Sequence, residues 1–160
     1  KGQTAKDLIR KSSEKELADI IYQFGEERKS RRISNSIKKI KNLSTTMDLK
    51  EAIRKSTPPH HRNKTHARVF QAIRIAVNDE IDKLKSFLKI FLDYLEIGGR
   101  LVVISYHSIE DRIVKHSFRQ LKNESKVELL TKKPLTPSTD EIKLNKRSRS
   151  AKMRALERVI

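Results

Sequence analysis

Residues 98–119 read GGRLVVISYHSIEDRIVKHSFR. Taken in order, they spell a turn, a strand, a polar loop and a helix. Gly98 and Gly99 predict the end of a preceding helix, because glycine enters the left-handed backbone without steric cost. Residues 101–104 are a short apolar, β-branched run, the pattern of a covered parallel strand. Ser105, Tyr106, His107 and Ser108 place four polar-capable side chains just past its carboxyl end. Ser108, with Asp111 three residues on, predicts a helix N-cap. Ile109, Ile113 and Phe118 fit the helix that follows. In open α/β sheets the ligand crevice lies beyond the carboxyl ends of strands, so this loop is the candidate edge of a site.

Upstream, residues 1–57 predict helices only. Thr4 can cap a short helix carrying Leu8 and Ile9. Ser13 and Glu16 make a capping box, and Leu17, Ile20, Ile21 and Phe24 follow at helical spacing until Gly25 stops the helix. Residues 26–43 hold Ile33, Ile37, Ile40 and Leu43 on one stripe. Their other face carries Arg28, Lys29, Arg31, Arg32, Lys38, Lys39 and Lys41. Thr45 and Thr46 precede a third helix. Residues 56–65, STPPHHRNKT, are a break, since two prolines stop helices and favour extended backbone. His60 and His61 are adjacent and lack an acidic neighbour, which points to a basic loop near RNA and away from a metal site. Residues 66–97 return to helical periodicity, with a break near Asn78 and Asp79. There Arg68, Gln71, Arg74 and Asn78 recur at spacings of three or four beside the stripe Val69, Phe70, Ile73 and Val77. Such a row is solvated, packs another domain, or reads a phosphate or a flipped base.

Downstream, residues 127–131 predict a strand, and Ser138 with Glu141 a short helix. Residues 145–152, NKRSRSAK, gather Lys146, Arg147, Arg149 and Lys152 with two serines, donors suited to phosphate oxygens. Residues 154–160 predict a closing strand. This order matches the latter half of a doubly wound α/β sheet. Half a sheet leaves one edge unpaired and apolar surface uncovered, so an upstream segment or a partner is expected to cover it.

Lys and Arg number 37 against 20 Asp and Glu, giving a net charge of +17. A polyanion, nucleic acid above all, is the partner class this implies. The chain has no cysteine, hence no thiolate nucleophile and no Cys-based zinc site. No apolar run approaches the ~20 residues of a membrane span, and no secretory signal is visible, so a cytoplasmic location is expected. Glycines at 2, 25, 98 and 99 cannot build a glycine-rich cofactor turn. His107 beside Ser105, Ser108, Glu110 and Asp111 is the one compact cluster with acid–base potential. It serves equally well as a strand-end cap network.

Four blocks in order resemble one family. GGRLVVISYHSIEDRIVKHSF is similar to the signature of the bacterial 16S ribosomal RNA cytosine-N4 methyltransferases, the MraW/RsmH family. TAKDLIRKSSEKELADIIYQFGEERKSRRI, RVFQAIRIAVNDEIDKLKSFL and LTKKPLTPSTDEIKLNKRSRSAKMRALERV resemble further family segments. The resemblance implies a Rossmann-like α/β methyltransferase fold with an inserted all-helical domain. Residues 1–78 would be that substrate-recognition insertion, and residues 79–160 the carboxyl-terminal part of the methyltransferase domain. It implies S-adenosylmethionine as cofactor and the N4 amine of a decoding-region cytidine in 16S RNA as target. The small ribosomal subunit would be the partner, and homodimerisation is left open. Ser105, His107 and Ser108 would shape the base pocket, with Glu110, Asp111 and Arg112 bracing the loop. Arg68, Phe70, Gln71, Arg74, Asn78, Arg112, Arg147, Arg149 and Lys152 would meet RNA. The family's amino-terminal half, with its glycine-rich cofactor turn, ribose-binding acid and DLG-type motif, has no counterpart here. Cofactor-binding residues are therefore expected outside this chain, and methyl transfer is not expected of these 160 residues alone. Two local departures are KTHARVF in place of an HPAT-like run, which keeps His66 but not the proline, and Tyr106 in place of phenylalanine. The competing expectation is a non-catalytic RNA- or ribosome-binding module derived from the family. A basic helical DNA-binding protein is a third, and it leaves the strand-rich second part unexplained.

Overall fold

The structure is a computed structural model that describes residues 2–160. The chain forms two compact units, Lys1–Glu80 and Ile81–Ile160. The first is helical: α1 Ala5–Lys11, α2 Glu14–Gly25, α3 Ser30–Lys38, α4 Thr46–Ser56 and α5 Arg62–Asn78. Three of these helices open on reciprocal capping boxes, Thr4 with Asp7, Ser13 with Glu16 and Thr45 with Asp48. Each satisfies two amides that the first turn leaves without partners. The core gathers one apolar stripe per helix, with Leu17, Ile21, Ile33, Ile37, Ile53 and Val69 fully enclosed. Burying each such side chain contributes about 1.5–3 kcal/mol.

Three sequence expectations shift in this unit. α2 does end at Gly25, but Glu26 takes the left-handed turn, at φ 50°. The glycine serves a close approach instead, since a Cβ there would stand 2.7 Å from the Arg68 carbonyl oxygen of α5. The stripe over residues 26–43 is helical only across α3, with Ile40 and Leu43 packing from the loop beyond it. The break after α4 is shorter than the sequence suggests. Pro59–His61 forms a 3-10 turn that leads directly into α5, because proline's fixed φ suits a first helical turn.

The second unit takes up α6 (Glu80–Ile90) and a 3-10 turn, Phe91–Tyr94, then β1 Arg100–Ser105, α7 Ser108–Asn123 and β2 Val127–Leu129. It continues with α8 Thr139–Leu144, a 3-10 turn Lys146–Ser150 and β3 Lys152–Arg158. Gly98, at φ 79°, does not cap a helix; it turns the chain into β1, four residues after that first 3-10 turn ends. The strand order is β1-β3-β2, and β3 is antiparallel to both neighbours. β1 and β2 thus run in the same direction and are joined by α7, but β3 lies between them. The expected parallel neighbour of β1 is replaced by an antiparallel one.

Nor is β1 covered on both faces. Leu101 and Val103 pack with Val114, Phe118 and Leu156 in the core, whereas Val102 and Ile104 are 53% and 52% exposed. The second edge of β1 has no strand partner among the described residues. Arg158 closes the far end of the sheet by donating from Nη1 to the carbonyls of Leu92 and Leu95 at 2.7 and 2.6 Å. Among the described residues, no helix is long and apolar enough to cross a membrane.

Candidate functional site

The loop after β1 is built by α7. His107, not Ser108, is the N-cap: its Nδ1 accepts the Glu110 backbone N–H at 3.3 Å. Ser108 is instead the first residue of the helix and is exposed. Glu110 completes the cap by reaching back to accept the Tyr106 backbone N–H at 2.9 Å. An accepting Nδ1 puts the proton of the neutral ring on Nε2. That atom is buried without hydrogen-bond geometry to any partner, and it lies 3.2 Å from Glu110 Oε1. Burial pushes the Glu110 carboxyl up, but the His107 ring and the Tyr106 and His107 contacts outweigh it and hold the carboxyl below its ordinary value. The turn is thus a closed ring of His107, Glu110 and the Tyr106 amide, with the Tyr106 side chain on the outside.

Asp111 is released from the capping role the sequence suggested and binds β3. Its Oδ1 accepts from Arg154 Nε at 2.7 Å, and its Oδ2 lies 3.3 Å from Lys152 Nζ. Burial acts to raise its pKa; the two cations win and lower it. Asp111 and Arg154 are both buried, as is Ser105, which stands opposite Lys152 in the strand register. Ser105, Lys152 and Arg154 share the sheet face that receives α7, because alternate residues of a strand point the same way. Arg154 carries this arrangement and was not singled out in the sequence. Its signal was faint: one of four charged residues in the seven-residue strand KMRALER, placed two residues from Lys152 and from Leu156.

The basic run 145–152 is ordered. Asn145 caps its 3-10 turn by accepting the Arg147 N–H, Ser148 is buried, and Arg147 and Arg149 are exposed. Lys152 is the member drawn into the Asp111 pair. Arg112 is exposed on the first turn of α7.

In the first unit, Arg68, Phe70, Gln71, Arg74 and Asn78 all lie on α5, but their side chains do different things. Gln71 donates to the Phe24 carbonyl at 3.1 Å and ties α5 to α2. Arg74 makes a two-pronged pair with Glu80 at 2.9 and 3.0 Å, and Asn78 donates to the same carboxylate. Phe70 is half-buried and lines an apolar cavity of about 340 Å3 with Ile9, Leu49, Ile73 and Val77. Arg68 is exposed and leans on the buried Glu27 at 3.5 Å. Glu27 and Glu80, the acids that hold this row, lie inside two of the family-like blocks, but neither block shows which cation each acid meets.

The sequence pattern described as the MraW methylase family matches residues 1–159. The chain belongs to that family. The ribosomal RNA small subunit methyltransferase H of Thermosipho africanus is 50% identical over 160 residues, covering 98% of this chain and 54% of the relative. The proteins of the same name from Kosmotoga olearia and Thermotoga neapolitana are 47% and 48% identical, again over 98% of this chain and 54% and 53% of their own lengths. The chain therefore spans about half the length of the curated relatives it matches.

Proposed function

We propose that this family member is the carboxyl-terminal portion of a cytoplasmic, S-adenosylmethionine-dependent methyltransferase acting on the N4 amine of a decoding-region cytidine in 16S ribosomal RNA. The observation that carries the reading is the 50% identity, across nearly the whole chain, to a relative named for methylation of small-subunit ribosomal RNA. The helical unit is the substrate-recognition insertion. The β1–α7–β2 unit with β3 is the last part of a Rossmann-like sheet, and the turn after β1 is its base-handling edge.

The division of labour follows from the residues. Cytosine N4 is engaged when the base is paired, so the base must be unpaired or flipped before it reacts. The task of this chain is to hold the strand and orient the amine, since positioning is a large part of the barrier reduction. His107 and Glu110 hold the turn rigid, and the Asp111–Arg154 pair fixes that turn to the sheet. Ser105, His107 and Ser108 shape the pocket wall. Arg112, Arg147 and Arg149, with the exposed Arg68 and Arg74 of α5, supply backbone contacts whose affinity depends on salt.

S-adenosylmethionine supplies the methyl group in this reading. The described residues do not fit a glycine-rich cradle for it. Their strand-to-helix turn contains no glycine, and the Tyr106 and Glu110 amides at its mouth already have partners. The 160-residue chain should bind 16S RNA fragments and fail to retain labelled S-adenosylmethionine in equilibrium dialysis. Saturable cofactor binding, or no RNA binding, would contradict this assignment.

A further inference from the structure

Between the α2–α3 loop and the first turns of α5 lies a recess of about 530 Å3. Its floor is the carboxylate of Glu27, a residue only 4% exposed. Glu27 Oε1 accepts the Lys29 backbone N–H at 3.1 Å, and Oε2 accepts the Thr65 hydroxyl at 3.1 Å and stands 3.5 Å from Arg68 Nη1. That charge is therefore already answered by a guanidinium and two hydrogen bonds. Around it, the lining adds Arg28, Lys29, Lys64 and His61, with Glu26 as the one further carboxylate.

The cations feel one another. His61 titrates below its usual value, first because of His60, then because of burial, Lys29 and Lys64, with Glu27 pulling the other way. Holding like charges together destabilises a fold unless an anion joins them. Two helices also start at this rim without a side-chain cap, α3 after Lys29 and α5 after His61, and the positive end of each helix dipole lies there. The recess is larger than one phosphate group, and its cations come from two segments far apart in the chain, Arg28 and Lys29 on one and His61, Lys64 and Arg68 on the other, which suits a phosphate with its flanking sugars.

We propose that this recess holds a phosphodiester of a single RNA strand, with Arg28 and Lys64 as its cationic arms and Glu27 fixing Arg68 behind them. The proposal rests on the RNA-directed function above. A bound phosphate favours protonated His61, so binding takes up a proton and tightens as the pH falls toward that residue's pKa.

The test uses the full 160-residue chain and a single-stranded fragment of 16S RNA. Replacing two of the charges, R28A with K64A, should weaken binding about tenfold at physiological salt and flatten the log K against log salt slope by about 1.4, the value for two lost contacts. The control pair K11A with K15A, the same charge change on exposed positions outside the recess, should leave the slope near that of the parent. By NMR, RNA should raise the His61 pKa in the parent and not in R28A/K64A. If the parent binds RNA while both double variants behave alike and His61 does not respond, the recess is not a phosphate site and the RNA reading stands. If the parent binds no RNA, both fall. If polyglutamate shifts His61 as RNA does, the recess belongs to an acidic protein surface, and the proposal is overturned.

Discussion

At Asp111, burial and charge pull in opposite directions, and charge wins. The residue is held against Arg154 at 2.7 Å and its pKa is lowered from 3.8. A carboxyl depressed in the folded state stabilises it fully above its unfolded pKa, and that contribution is lost as the pH falls through the folded one. Asp111→Asn also leaves the Arg154 guanidinium buried without its partner, a change that costs about 3–5 kcal/mol in comparable pairs. Denaturant unfolding should therefore show Asp111→Asn destabilised by about 3 kcal/mol at pH 7. The gap to the parent should narrow once the pH drops below 3.8. A gap of the same size at pH 7 and pH 3 would mean that Asp111 is not the group titrating.

The start of α7 shows what a sequence reveals at the scale of an element. Thr4 before α1, Ser13 with Glu16 and Ser138 with Glu141 are all legible as caps, and the structure has all three. The break at Asp79 is legible too, because the stripe changes phase there. At α7 the pattern Ser108 to Asp111 imitates a capping box one residue out of register. The imidazole of His107 takes the cap instead, freeing Asp111 for a cation 43 residues away. Nothing local signals that partner, just as nothing local places β3 between β1 and β2. Both are long-range pairings, decided by which elements pack and not by spacing along the chain. The cap role and the proposed pocket role of His107 can be separated. His107→Ala should lower stability by about 1 kcal/mol, the usual value of a lost N-cap. His107→Asn, which keeps a capping oxygen, should recover most of that loss. In the active enzyme context, methyl transfer should stay low in both variants, because neither restores the ring. Unchanged activity in His107→Ala would remove it from the base pocket.

For the molecule as a whole, a net charge of +17 sets a general attraction for RNA that any basic surface would share. What distinguishes this chain is the pairing of that charge with a rigid polar turn at the end of β1. The non-catalytic alternative keeps the charge and has no use for the turn. One measurement separates them. A chimera would carry this chain in place of its matching segment in the Thermosipho africanus relative, to which it is 50% identical. It would be incubated with small-subunit RNA and labelled S-adenosylmethionine, and the RNA digested and read by nucleoside mass spectrometry. The expected product is N4-methylcytidine at a single 16S position. A soluble, folded chimera that binds the RNA and leaves its cytidines unmethylated would contradict the account and assign the chain to binding alone.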